Sequence, residues 1–311
     1  MLEPLILLLP IYLLILLGFG MVKSGLIAPE AMPHLSRFVL IVCIPVLVFS
    51  AVSSAGSLTE FNWSFIAAYA CAALLVLVIA RVVLRRVFGL GPGRSWIAAQ
   101  GACSPNTLFL GFPIASTVMP EIAPLLFAWI MVVENMVVIP ASVTIADVLS
   151  REHALPPRAA LRDTARRTLS NPTVIGLLAG LAYAAIGFEL PHPIETTRSM
   201  ILSAAPLLSL FVVGANMAGA RLNEVEPAAM ILAGMKLLLH PLITFLVLSA
   251  IPSIPPDYVL CATLFSAMPM FALYAVFAAR LGVGRLASSA LVLSTLGGAL
   301  SVGVLVLIAA G

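Results

Sequence analysis

Glu134, Asn135, Lys236 and His240 stand deep inside long apolar runs of this 311-residue chain. A charge in hydrocarbon is expensive, so an ionisable residue there marks an ion or substrate path, or a buried pair. His240 lies one helical turn beyond Lys236 on the same face, and Pro241 follows it. Lys236 and His240 suit partners for a substrate anion or a proton. Glu134 suits a carrier of a coupling ion, either H+ or Na+. The competing reading is a Glu134–Lys236 pair that only locks two helices together.

A second group owes its chemistry to the backbone. Residues 101–113 read Gly-Ala-Cys-Ser-Pro-Asn-Thr-Leu-Phe-Leu-Gly-Phe-Pro, so Pro105 and Pro113 fall within one apolar run. Each proline removes a backbone donor and clashes with the carbonyl four residues back, which predicts an interrupted helix. Residues 266–274, Ser-Ala-Met-Pro-Met-Phe-Ala-Leu-Tyr, put Pro269 in the middle of a second run. In hydrocarbon such a break has to be buried in protein or line a wet cavity. Two broken helices that cross would aim N-terminal ends, with partial positive charge and free N–H groups, at one point. That arrangement suits an anion, and the expected substrate site surrounds Asn106 and Pro269. A pair of ordinary proline kinks is the plainer alternative.

The elements that must hold these residues follow from composition. The chain is 62% hydrophobic and only 9% charged, with a mean hydropathy of +1.15, whereas soluble domains run at ~45–50% apolar and ~25% charged. This excludes a disordered chain, a soluble nucleic-acid binder and a typical cytosolic enzyme. A spanning helix needs ~20 apolar residues. Charged and Pro/Gly punctuation divides the chain into ten expected spans, at 2–22, 35–54, 63–84, 95–119, 122–149, 171–188, 196–219, 227–250, 256–279 and 285–309. The first run carries Glu3 and no basic leader, and reads as span 1 rather than a signal peptide. The connection 151–169, with five arginines, reads as a cytoplasmic loop between a first half (1–150) and a second half (170–311). It is expected to act as a topology signal with some lipid-headgroup contact, with a regulatory docking site as the alternative. Fourteen of the 16 Lys and Arg flank the odd-numbered loops, so both termini are expected outside the cytoplasm of a cell (inner) membrane.

Five spans per half means that the second half enters from the opposite side, and any repeat is inverted. Pro10 and Pro172, Arg37 and Arg198, Pro45 and Pro206, and Pro105 and Pro269 pair at offsets of 162, 161, 161 and 164. Inverted repeats with broken helices are a hallmark of secondary transporters. The four cysteines (Cys43, Cys71, Cys103 and Cys261) lie far apart in apolar runs and read as small buried hydrophobes, with no metal or disulfide spacing. Gly176-x-x-x-Gly180 reads as a close-packing motif. No metalloprotease, nucleophile-elbow or P-loop motif occurs, and no cofactor is called for.

The 101–113 run, with its Asn-Thr pair before Phe-Leu-Gly-Phe-Pro, Met268-Pro269 followed by Ala278-Ala279-Arg280-Leu281-Gly282, and Ser294-Thr295-Leu296 near the end together resemble the auxin efflux carrier family. The resemblance implies an all-α fold of ten transmembrane helices in a 5+5 inverted repeat, like bile-acid symporters and sodium–proton exchangers. Spans 1, 2, 6 and 7 would form a scaffold, and spans 3–5 and 8–10 a core with spans 4 and 9 crossed. It implies organic-anion substrates such as malonate, malate or an auxin-like acid, with Asn106 and Asn135 contacting the carboxylate. Thr107, Ser294 and Thr295 belong to the motifs that would complete the site. Two features depart from the pattern: Leu273 replaces a frequent asparagine, and residues 65–80 lack the Asp–Lys pair of plant members. The expected function is secondary transport of a small organic anion by alternating access, with a passive anion channel or an intramembrane enzyme as alternatives. The expected partners are the carboxylate, H+ or Na+, and the lipid bilayer, with a homodimer left open and nucleic acid excluded.

Overall fold

In a computed structural model the described residues are 3–54, 62–150, 156–187, 189–218, 226–271 and 274–309. Leu273 and the start of the 151–169 connection (151–155) lie outside them. All regular structure among the described residues is helical. In chain order the helices are α1 (Glu3–Lys23), α2 (Met32–Phe38), α3 (Ile44–Ser54), α4 (Trp63–Arg86), α5 (Pro92–Cys103) and α6 (Phe112–Val118). There follow α7 (Ala123–Val133), α8 (Ile139–Leu149), α9 (Pro157–Leu169), α10 (Pro172–Ile186) and α11 (His192–Ala218). The last are α12 (Pro227–Gly234), α13 (His240–Ser249), α14 (Pro256–Ser266), α15 (Tyr274–Ala279) and α16 (Gly284–Ala309).

Local chemistry sets most boundaries. Proline at the first turn starts α5, α9, α10, α12 and α14, where its missing N–H is no loss. Asn62 and Asn171 cap α4 and α10 by accepting from Phe65 N and Thr173 N, both at 2.9 Å. Gly187, at φ 71°, ends α10 in the left-handed conformation that only glycine adopts cheaply.

Four wide π turns lead directly into the next helix, at Val39–Cys43, Thr107–Gly111, Glu134–Val138 and Met235–Leu239, and all but the second also continue the helix before it. Each is followed two residues later by a proline, at Pro45, Pro113, Pro140 and Pro241. The carbonyl four residues before each proline lies inside the turn, and widening the helix there relieves the clash with the ring. Thr107, Glu134 and Lys236 all sit in these turns.

Six helical stretches are long and apolar enough to cross a membrane: Pro29–Ser53, Trp63–Arg86, Ala123–Leu149, His192–Ala218, Pro227–Ser249 and Gly284–Gly303. A seventh arises if α9 and α10, bent by 66° at their junction, count together. The 151–169 connection is thus not wholly a loop, since Pro157–Leu169 is helical. Its alternation of arginines with Ala160 and Thr164 satisfies a helical face, which polarity alone did not reveal.

Helix α1 packs chiefly on α11, and α3 on α10. Glycine permits both close approaches. A Cβ on Gly214 would strike the Ile15 carbonyl, and one on Gly18 the Phe211 carbonyl; at Gly176 and Gly180 the obstacles are the Pro45 and Phe49 carbonyls. The remaining helices form a second group in which α4 packs on α5 and α13, α5 on α8, and α16 on α12 and α15. Cys43, Cys103 and Cys261 are buried and free, while Cys71 is exposed, which corrects the expectation for that residue. It falls on the outer face of α4 beside exposed Leu75 and Val78, in an apolar rather than aqueous setting.

Candidate functional site

Helix α5 ends at Cys103 and α14 at Ser266, each just ahead of its proline. The two breaks run past each other as a short antiparallel bridge between Pro105 and Met270. Asn106 N donates to the Pro269 carbonyl at 2.7 Å, and Phe271 N donates to the Ser104 carbonyl at 3.0 Å. The hydrogen bonds lost within each helix are therefore recovered between the two, as burial requires. Ser294 of α16 completes the junction, its Oγ accepting from Met270 N at 3.2 Å. Tyr274 Oη donates to the Ala98 carbonyl at 2.8 Å and ties α15 to α5.

Asn106 also caps the wide turn that follows, with Oδ1 accepting from Phe109 N at 3.2 Å. Its Nδ2 has no hydrogen-bond partner among the described residues. Asn106 lines a cavity of about 310 Å³ whose other polar side chains are Ser36, Asn216 and Thr295. Phe19, Phe109, Met270 and Phe271 supply much of the apolar lining, and among the described residues no charged side chain lines it. The cavity lies between α1, α2 and α11 on one side and the crossing with α16 on the other. It holds a free amide donor, two hydroxyls and a second amide, at the N-terminal end of the Thr107–Val118 helical stretch. Such a set can bind a carboxylate by dipoles without a countercharge.

Behind the crossing lies a second polar group. Thr107 Oγ1 donates to Glu134 Oε1 at 2.6 Å. Lys236, fully buried, donates from Nζ to the Ser266 carbonyl, the last residue of α14, and to His240 Nδ1 at 3.2 Å. An ammonium at the C-terminal end of a helix is favoured by the aligned peptide dipoles. With Nδ1 accepting, the His240 proton sits on Nε2, which is buried without a hydrogen-bond partner. The Tyr69 ring lies nearby, tilted by 52° with its centroid 6.5 Å from that of His240. Glu134 and Lys236 influence each other electrostatically, but among the described residues no ion pair joins them. The locking pair considered from sequence is therefore replaced by two separate contacts, one at each broken helix.

The structure thus brings Pro105, Asn106, Thr107, Pro269, Ser294 and Thr295 together around the crossing. Glu134, Lys236 and His240 lie behind it, and Pro113 sits buried at the start of α6. Asn135 points elsewhere: Nδ2 donates to the Met131 carbonyl at 3.0 Å, and Oδ1 accepts from Asn171 Nδ2 at 3.5 Å. Ser36 and Asn216 of the cavity escaped the sequence reading. Nothing in their spacing links them to Asn106, because α2 and α11 meet it only in three dimensions.

Among known proteins, the chain is 27% identical over 296 residues to a "Putative malonate transporter" of Rhizobium meliloti (strain 1021), covering 93% of this chain and 90% of that protein. It is 26% identical over 131 residues to Auxin efflux carrier component 2 of Arabidopsis thaliana, covering 41% of this chain and 20% of the plant protein. The family model described as "Membrane transport protein" matches residues 5–306. With its apolar helices, its crossed breaks and a match over nearly its whole length, the chain belongs to the membrane transport protein family of the auxin efflux carriers.

Proposed function

We propose that this protein is a secondary transporter that moves a small organic anion, a mono- or dicarboxylate, by alternating access. The observation that carries the reading is Asn106, whose Nδ2 has no hydrogen-bond partner among the described residues, lining a 310 Å³ cavity where the two broken helices cross. The cavity lies between two packed groups of helices, so displacement of one against the other would open it to either side in turn. Malonate- or malate-type substrates are favoured by the name of the rhizobial relative, and an auxin-like acid by that of the plant relative.

The proposed architecture is ten spans in a 5+5 inverted repeat, 1–150 and 170–311, with both termini outside the cytoplasm. Its support is reciprocal packing. Span 1 packs on span 7 (α1 on α11), and span 2 packs on span 6 (α3 on α10), which is what exchange of the two halves demands. The six long helical stretches, with α1, α10 and the broken pairs α5/α6 and α14/α15, account for ten. Glu134, hydrogen-bonded to Thr107 beside Asn106, is the proposed carrier of the coupling H+ or Na+.

A thermal-shift panel of carboxylates on the purified protein tests the substrate class, since a ligand that binds only the folded state stabilises it by RT ln(1 + [L]/Kd). A mono- or dicarboxylate should raise Tm in the wild type and leave Asn106→Asp unchanged. Equal shifts in both would remove Asn106 from the site.

A further inference from the structure

Helix α9 uses one face to attach to the protein. Ala160 and Thr164, four residues apart, are buried, and the Thr164 hydroxyl pairs with that of Thr144 on α8 at 2.8 Å. Arg158, Arg162 and Arg166 occupy the opposite face at successive turns, about 6 Å apart along the axis, and line a surface groove with Asp163. The Asp163 carboxylate is already held by Arg167 at 2.6 Å. Among the described residues, none of the other three arginines has an acidic partner. Leu169 projects on this same face and Leu161 beside it, exposed by 60% and 63%. The axis of α9 turns 66° from that of the apolar α10. If α10 crosses the bilayer, α9 lies across its end at headgroup level rather than continuing through it.

We propose that the Arg158–Arg162–Arg166 face of α9 binds the phosphates of anionic phospholipids, seating the helix in the headgroup layer. A guanidinium presents a planar fork that matches phosphate oxygens. Three uncompensated forks in a row next to two exposed leucines match a leaflet, with phosphates above and acyl chains below. A soluble phosphate would use the arginines but leave the leucines unemployed. The proposal concerns this surface alone and stands or falls independently of what the cavity binds.

The test is lipid binding to the full chain in neutral detergent, followed by native mass spectrometry and thermal shift. The probes are phosphatidylglycerol, phosphatidylcholine and inorganic phosphate. Each arginine near an anionic surface contributes roughly a fivefold factor in affinity. The triple change Arg158→Gln, Arg162→Gln and Arg166→Gln should thus weaken phosphatidylglycerol binding by about 10²-fold, with added salt acting the same way on the wild type. Each single change, made in case the triple variant folds poorly, should cost roughly fivefold. Phosphatidylcholine binding should be unaffected by any of them. The proposal is overturned if the variants bind phosphatidylglycerol like the wild type, if the two lipids bind equally, or if inorganic phosphate stabilises the protein as well as phosphatidylglycerol does.

Discussion

Asn106 has two functions that substitution can separate. Its Oδ1 caps the Thr107–Gly111 turn through Phe109 N, while its Nδ2, without a hydrogen-bond partner among the described residues, is the donor the proposal assigns to the substrate. Asn106→Ala removes both, and loss of an N-cap costs about 1 kcal/mol of stability. Asn106→Asp keeps the cap, because a carboxylate accepts from the same N–H and ranks with asparagine there. It replaces the donor with a negative charge at the place proposed for the substrate carboxylate. Two like charges ~4 Å apart at an effective dielectric of ~20 repel by about 4 kcal/mol, or roughly 10³-fold in affinity. Thermal unfolding should place both variants below the wild type, Asn106→Ala through the lost cap and Asn106→Asp through the cost of an unpaired carboxylate at a buried position, so uptake is compared on folded protein. Uptake into proteoliposomes should be lost in Asn106→Asp and impaired in Asn106→Ala. Wild-type uptake by Asn106→Asp would refute the reasoning and reduce Asn106 to a helix cap.

Other substitutions test the remaining elements. Glu134→Gln preserves an acceptor for Thr107, so it should abolish gradient-driven accumulation while sparing substrate exchange; full accumulation in the folded variant removes Glu134 from coupling. Because Lys236 bonds the Ser266 carbonyl and His240 rather than Glu134, a double-mutant cycle of Glu134→Gln and Lys236→Met should give a coupling below about 2 kcal/mol. Gly214→Ala drives a Cβ into the Ile15 carbonyl and should destabilise by about 1–3 kcal/mol in thermal unfolding. Gly20→Ala, which meets no neighbouring atom within 4 Å, should not. Cysteine labelling should find 156–170 accessible from the cytoplasm and the segment at Glu121 accessible from outside.

Features governed by local chemistry were legible in the sequence. Pro105 and Pro269 had to break their helices, Gly176 and Gly180 had to face a close neighbour, and Lys236 and His240 had to share a face. A proline stands two residues past each wide turn, but Pro10 and Pro206 lie inside helices that have none, so proline alone does not locate these turns. Long-range choices were not legible. Lys236 had two candidate acceptors, a side chain on α7–α8 and a carbonyl at the end of α14, and only the packing decided between them. The turn at Glu134–Val138 sends Glu134 to Thr107 and its neighbour Asn135 to Asn171. Adjacent residues on a helix point about 100° apart, so adjacency could not make them one site. Asn216 and Ser36 reach the cavity from helices far away in sequence.

The central claim, a carrier site at the crossing of the broken helices, is tested most directly by counterflow. Proteoliposomes loaded with unlabelled carboxylate should accumulate labelled carboxylate transiently above equilibrium with the wild type, and not with Asn106→Asp. Simple equilibration without overshoot in the wild type, or an equal overshoot in both proteins, would contradict it.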